Sequence, residues 1–153
     1  MKLLKLLTFS LLLIIAATSC NSNQKLQTEA PEEQPENLED VWKLTGIVDV
    51  ETNELRVLEP KDCDKCYTLK FNTDSTFSTL SSINVLGGAY KADYITNSIH
   101  IFNFGGTKIG ETGDGYLWWD IFPTIQLFSM KENELRLYYN NKKNYLLFKL
   151  LEL

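Results

Sequence analysis

Tyr67-Thr68-Leu69-Lys70-Phe71-Asn72-Thr73-Asp74-Ser75-Thr76-Phe77-Ser78 (YTLKFNTDSTFS) is the stretch on which the fold turns. Tyr67, Leu69 and Phe71 alternate with Thr68 and Lys70, the period of two expected for a strand with one buried face. Asn72 to Ser75 then bring side chains that hydrogen-bond their own backbone and tolerate left-handed conformations. Phe77 resumes on a return strand. The unit reads as an antiparallel hairpin with 72–75 at its tip.

The same grammar extends in both directions. Trp42-Lys43-Leu44 begins a first strand, Gly87 to Tyr90 enters another, and Ile99 and Ile101 mark its partner. Leu127 to Met130 meets the turn residues 131–134, after which Leu135, Leu137 and Tyr139 alternate. Asn140 to Lys143 turns the chain once more. Tyr145 to Leu150 closes it, apolar on both faces as for a strand covered on both sides. Short runs separated by turn signals every eight to twelve residues or so predict an all-β barrel or sandwich.

One segment breaks this period. Asp114 to Phe122 suits a short helix at about 114–122, with Asp114 as N-cap and Pro123 as its stop. Leu117, Trp118, Ile121 and Phe122 would share its buried face. The glycines at 105, 106 and 110 read as a strand-to-helix turn. The expected fold is therefore mostly β: a small antiparallel barrel-like domain over 41–153 with one short helix.

The chain has 153 residues, 44% hydrophobic and 23% charged, the balance of one globular domain rather than a disordered chain. A net charge of −5 argues against nucleic acid and against an anionic membrane surface. The N-terminus reads as a signal peptide over 1–19: Lys2 and Lys5, then an apolar run from Leu6 to Ala17 that is too short to span a bilayer. Ala17-Thr18-Ser19 leading into Cys20 resembles the lipobox of bacterial lipoproteins. That resemblance implies cleavage before Cys20 and acylation of its thiol, for example with palmitate. Membrane attachment is then through lipid, because two or more acyl chains anchor stably where one does not. Residues 20–40 read as the acylated Cys20 and a disordered acidic linker. Glu29, Glu32, Glu33, Glu36, Glu39 and Asp40 face only Lys25, giving that segment −5.

Taken in order, Trp42 to Gly46, YTLKFNTDSTFS (67–78), GGAY (87–90), IFNFGGTKIG (101–110), the aromatic helix and ELRLYYNNKKNYLLF (134–148) resemble the META/HslJ-like domain, in particular its Bacteroidetes lipoprotein versions. The resemblance covers most of 41–151. It implies a small β barrel-like domain with one packed helix, a place in the bacterial envelope, a link to stress or drug resistance, and no catalytic set. Ser81-Ser82-Ile83-Asn84 departs from the Cys-Asn pair of many members, and the chain carries its own C-x-x-C earlier. Asn21 to Gln24 lacks the acidic run that resembles a surface-export signal. This favours an outer-membrane lipoprotein facing the periplasm.

Cys63-Asp64-Lys65-Cys66 admits three readings. A redox site needs a helix N-terminus to lower a thiol pKa, but here a strand follows, and Asp62 and Asp64 oppose a thiolate. A metal site needs two more ligands, and His100 is the one histidine. A structural disulfide Cys63–Cys66 is the expectation, stapling the loop that enters the 67–71 strand and contributing ~2 kcal/mol.

Gly105 to Thr112 nearly spells a phosphate-binding loop, but Glu111 stands where lysine is required. His100 alternates against Ile99 and Ile101 and faces solvent without a nucleophile beside it. Asp114 and Asp120 lie on different helix faces, so capping and solvation explain them better than a glycosidase pair. Asp74-Ser75-Thr76 resembles a short O-glycosylation acceptor, at Ser75. Adjacent helical residues are rotated by about 100°, so with Trp118 buried, Trp119 points toward the rim. Tyr116 and Trp119, with Lys108 on the adjoining loop, are the expected contact surface.

The expected function is a lipid-anchored envelope protein with a binding or scaffolding β domain, its partner an envelope protein or small molecule. No catalysis, cofactor or metal is expected. A lipocalin-like small-molecule carrier is the alternative, which requires an enclosed apolar cavity.

Overall fold

The computed structural model describes residues Asn37–Leu151. The expected signal peptide, Cys20 and linker residues 21–36 lie outside the described residues. Nine strands form one antiparallel sheet: β1 (Val41–Asp49), β2 (Leu55–Arg56), β3 (Thr68–Phe71), β4 (Thr76–Leu80), β5 (Val85–Asp93), β6 (Ser98–Gly106), β7 (Leu127–Lys131), β8 (Glu134–Tyr139) and β9 (Asn144–Leu150). Their order is β2-β1-β3-β4-β5-β6-β7-β8-β9, and β1 also pairs with β9 from Trp42–Leu150 to Asp49–Asn144. Eight strands thus close into an up-and-down ring. The mostly β antiparallel barrel with one short helix is the fold that the alternation predicts.

The 67–78 hairpin forms β3 and β4, with Phe71 opposite Phe77. At its tip Asp74 Oδ1 accepts the Thr76 amide at 3.0 Å, and Ser75 takes a positive φ of 63°. Leu69, Phe71 and Phe77 point into the ring and are buried. β2 lies outside the ring beside Ile47 and Val48 of β1. Gly46, at a bulge in the β1–β9 ladder, permits that approach: a Cβ there would sit 2.5 Å from the Arg56 carbonyl oxygen.

One seam of the ring differs from the rest. Among the described residues, the β6–β7 ladder consists of Ser98 opposite Leu127. Backbone bonds from Ile99 to Gln126 and from Phe128 to Asn97, both 2.9 Å, complete it. The gap beyond is filled by helix α1 (Tyr116–Ile121) and a 3-10 turn at Phe122–Thr124, where Pro123 tightens the backbone. Phe104 of β6 packs on Trp119 and Phe122, with ring centroids 5.7 and 5.6 Å apart. Trp118 enters the core fully buried, against Tyr67, Phe122 and Phe148. Its indole N–H donates to Thr79 Oγ1 at 2.8 Å, and that hydroxyl donates to the Thr68 carbonyl at 2.6 Å.

Several local expectations need correction. Asp114 does not cap the helix; Gly115 stands at the N-cap without a side-chain bond. The Asp114 carboxylate turns instead to Arg56 Nη2 (2.5 Å) and the Glu59 amide (2.9 Å), a distant pull that local sequence does not show. Gly105 and Gly106 belong to β6, opposite Gly87 and Leu86, rather than to a turn. The packed domain reaches back before Val41: Leu38 is fully buried, and its carbonyl accepts the Trp42 indole at 3.0 Å. The outer face of β9 is shielded by its neighbour's side chains, not by a second layer. Tyr138 packs on Tyr145 at 5.3 Å, and the Arg136 guanidinium lies 5.3 Å over the same ring.

Tyr67 links core and loop. It is buried, takes a φ of 55°, and its hydroxyl donates to the Glu59 carbonyl. Burial, with Asp114 and Glu111 nearby, pushes its pKa from 10.0 up to about 12. The folded state therefore holds the phenol neutral where the unfolded chain ionises it. The stability this gives is intact below pH 10 and lost as pH rises from 10.0 to about 12. Melting temperature against pH should fall less steeply across that window in Tyr67→Phe than in wild type. Equal slopes would show that Tyr67 does not govern alkaline unfolding.

Candidate functional site

The turn between β4 and β5 and the loop that follows β6 are locked together by polar side chains. Asn84 is fully buried and uses both ends of its amide. Its Nδ2 donates to the Ile109 carbonyl (2.8 Å) and to Glu111 Oε1 (2.7 Å). Its Oδ1 accepts the Ile109 amide (2.7 Å) and the Thr107 hydroxyl (2.9 Å). Ser81, also fully buried, accepts the Asn84 amide at 2.9 Å and donates to Glu111 Oε1 at 2.6 Å.

Glu111 is the hub of this clamp. Besides Asn84 and Ser81 it accepts the Ser82 hydroxyl on Oε2 (2.7 Å) and the Trp119 indole on Oε1 (3.1 Å). Burial opposes its charge, but the four donors Ser81, Ser82, Asn84 and Trp119 together win and hold its pKa below the usual carboxylate value. Gly115 closes the arrangement: a Cβ there would collide with both Ser82 Oγ and Glu111 Oε2.

Exposed apolar residues border this fixed base. Ile109 is 62%, Val85 59% and Tyr116 54% exposed, with Ile83 beside them. Thr107 stitches the face together, its amide donating to the Val85 carbonyl (3.1 Å) and its hydroxyl accepting the Val85 amide (3.2 Å). Lys108 is exposed between Thr107 and Ile109. Lys108 and Tyr116 thus sit on the two segments that Glu111 ties together. Trp119 is different: it is half-buried, its indole N–H is committed to Glu111, and Phe104 packs against its ring. It supports the face rather than presenting it.

Glu111, Asn84 and Ser81 are the residues that local sequence reading passes over. Their visible signal is a polar trio interrupting an apolar alternation, opposite a lone acid in a glycine-rich loop.

No family model matches the chain. A Tannerella forsythia protein named "Putative lipoprotein" is 34% identical over 145 residues, covering 92% of this chain and 90% of its own length. The chain belongs to this lipoprotein family. Among solved structures, the chain resembles in fold a DUF4847 family protein from Bacteroides vulgatus. That likeness has a TM-score of 0.58 and 16% identity, over 73% of this chain and 92% of the other. It likewise resembles a protein from Burkholderia xenovorans solved by NMR, with a TM-score of 0.61 and 18% identity, over 76% of this chain and 85% of the other.

Elsewhere in the chain, Cys63 and Cys66 form a disulfide in a loop, not at a helix N-terminus. The loop wraps the Lys43 ammonium, which donates to the carbonyls of Cys63 (2.8 Å), Asp64 (3.0 Å) and Cys66. Ser75 is exposed at the hairpin tip. Asp114 is buried against Arg56 while Asp120 is exposed, so the two acids do not form a pair. His100 is exposed and stacks on Phe102 with ring centroids 5.8 Å apart. Among the described residues no group of three or more His, Cys, Asp or Glu is placed to hold a metal ion. Cys20 lies outside the described residues.

Proposed function

We propose that the lipoprotein is held to the bacterial envelope by lipid on Cys20 and acts without catalysis, as a binding or scaffolding module. The surface assigned to that role is Ile83, Val85, Ile109 and Tyr116, with Lys108 at its edge. The observation that carries the reading is the Glu111 clamp. Four donors from two segments, the β4–β5 turn and helix α1, converge on the Glu111 carboxylate of a third, beside the exposed Ile83, Val85, Ile109 and Tyr116. Ser81 is fully buried and Ser82 half-buried, and both hydroxyls are committed to Glu111. Outer-membrane residence facing the periplasm, a META-like affiliation and a stress-related role are the finer parts of the proposal. They are supported by the Cys20 context and by the motifs between 42 and 148. The carrier alternative gains no support. Trp42, Trp118, Phe71, Phe122 and Phe148 fill the interior where a ligand would sit.

A photo-crosslinking amino acid at Tyr116 or Ile109, in cells, is expected to give a discrete protein adduct that the same group at His100 does not. Identical adduct patterns at all three positions would retire the face as a site. Ser75 is proposed as an O-glycan acceptor. An intact mass equal to polypeptide plus lipid alone would dismiss it.

A further inference from the structure

A second surface collects where the chain enters the domain. The Leu38 amide donates to the Tyr94 hydroxyl at 3.1 Å, and the Tyr94 ring meets Phe128 edge-on at 5.4 Å. Phe128 lines an open cleft of about 420 Å³ together with Val50, Thr96, Asn97, Tyr138 and Lys142. An adjoining cleft is lined by Asp49, Val50, Glu51, Lys142 and Lys143. At the rim Ile95 is 94% exposed, with Tyr94 and Val50 about half exposed. Asp93 Oδ1 accepts the amides of Ile95 (2.8 Å) and Thr96 (3.2 Å), which fixes the turn that holds Ile95 out in water.

We propose that this end of the barrel seats on a zwitterionic phospholipid bilayer, with Ile95 and Tyr94 entering the interface. The proposal rests on the reading that Cys20 is acylated. Asn37 follows Cys20 by seventeen positions, so an anchor there lies within ~60 Å of chain from Leu38, and this is the face from which that chain departs. A fully exposed isoleucine beside a tyrosine is a composition that partitions into the headgroup region. Charge chooses the lipid. Lys142 and Lys143, with Asp49 and Glu51, lie at the far end of β1 from Leu38, so the charges beside the entry are acidic. Asp93, Glu39 and Asp40 near the same entry disfavour a purely anionic surface.

The test uses the mature lipidated protein in vesicles of phosphatidylethanolamine and phosphatidylcholine. A spin label on Ile95→Cys is compared with one on Ser78→Cys, an exposed position on β4. The label at 95 should become several-fold less accessible to an aqueous relaxing agent and more accessible to oxygen, while that at 78 does not change. Exchange of the zwitterionic lipid for phosphatidylglycerol should weaken the protection. Protein that floats with the vesicles while both labels stay aqueous overturns the docking and spares the anchor. Protein that does not float overturns the anchor and the docking with it. Dipolar broadening between labels at 95 would mean that a second copy covers the face, and overturns the proposal.

Discussion

Glu111→Ala is expected to lower the unfolding free energy by about 3 kcal/mol, because Ser81, Ser82, Asn84 and Trp119 together lose their shared charged acceptor. Asn84 would keep the Ile109 carbonyl, but the Ser81 hydroxyl and the Trp119 indole would lose the carboxylate they are built around. Glu111→Gln separates charge from shape. Its amide oxygen can still accept from Asn84, Ser81 and Trp119, and its NH₂ can donate to the Ser82 hydroxyl, so the loss should be less than half as large. Urea unfolding of the three proteins measures this through their midpoints at constant slope. The pH dependence adds an independent check. The folded pKa of Glu111 is depressed, so the stability it gives is present above the unfolded value of 4.5 and is lost as pH falls through the folded value. Glu111→Gln should therefore lose less stability than wild type on acidification below about 4.5. An alanine variant as stable as wild type would mean that the exposed face has no such foundation.

Trp118→Ala should be more damaging, by about 3–5 kcal/mol, as for other large buried aromatics. The substitution empties a site ringed by Tyr67, Phe122 and Phe148 and removes the hydrogen bond to Thr79. Thr79 still donates to the Thr68 carbonyl, so no hydroxyl is stranded and the loss is mainly one of packing. Against a total stability of roughly 5–15 kcal/mol for a domain of this size, that approaches unfolding. Trp118→Phe should recover a large part, since Thr79 keeps its second partner. Chemical denaturation separates the two, with near-ultraviolet circular dichroism reporting whether the aromatic core stays ordered. An alanine variant within about 1 kcal/mol of wild type would show that the cavity collapses freely and that the helix is not holding the barrel.

What local sequence reveals here follows the range of the force involved. The 67–78 hairpin is legible because strand alternation and turn chemistry act within a few residues. The buried helix face is legible because Trp118 and Phe122 are spaced by one turn. The helix start is misread because Asp114 is drawn to Arg56, fifty-eight positions away. The Glu111 hub is invisible for the same reason: Ser81, Ser82 and Asn84 reach it across 30, 29 and 27 positions. Leu38 sits in an acidic run whose charge conceals one anchoring side chain. Trp119, expected at the rim, is half-buried against the core cluster, and its indole has a partner that only the folded loop supplies.

The sparse β6–β7 seam has a consequence beyond the single molecule. A closed ring has no free edges, but here one junction has only a short ladder and is sealed beyond it by aromatic side chains. Detachment of the α1 segment would bare two strand borders at once. With lipid on Cys20, as proposed, copies would drift in two dimensions and meet far more often than the same number in free solution. On that proposal the aromatic wedge would also keep neighbouring copies from pairing strand to strand.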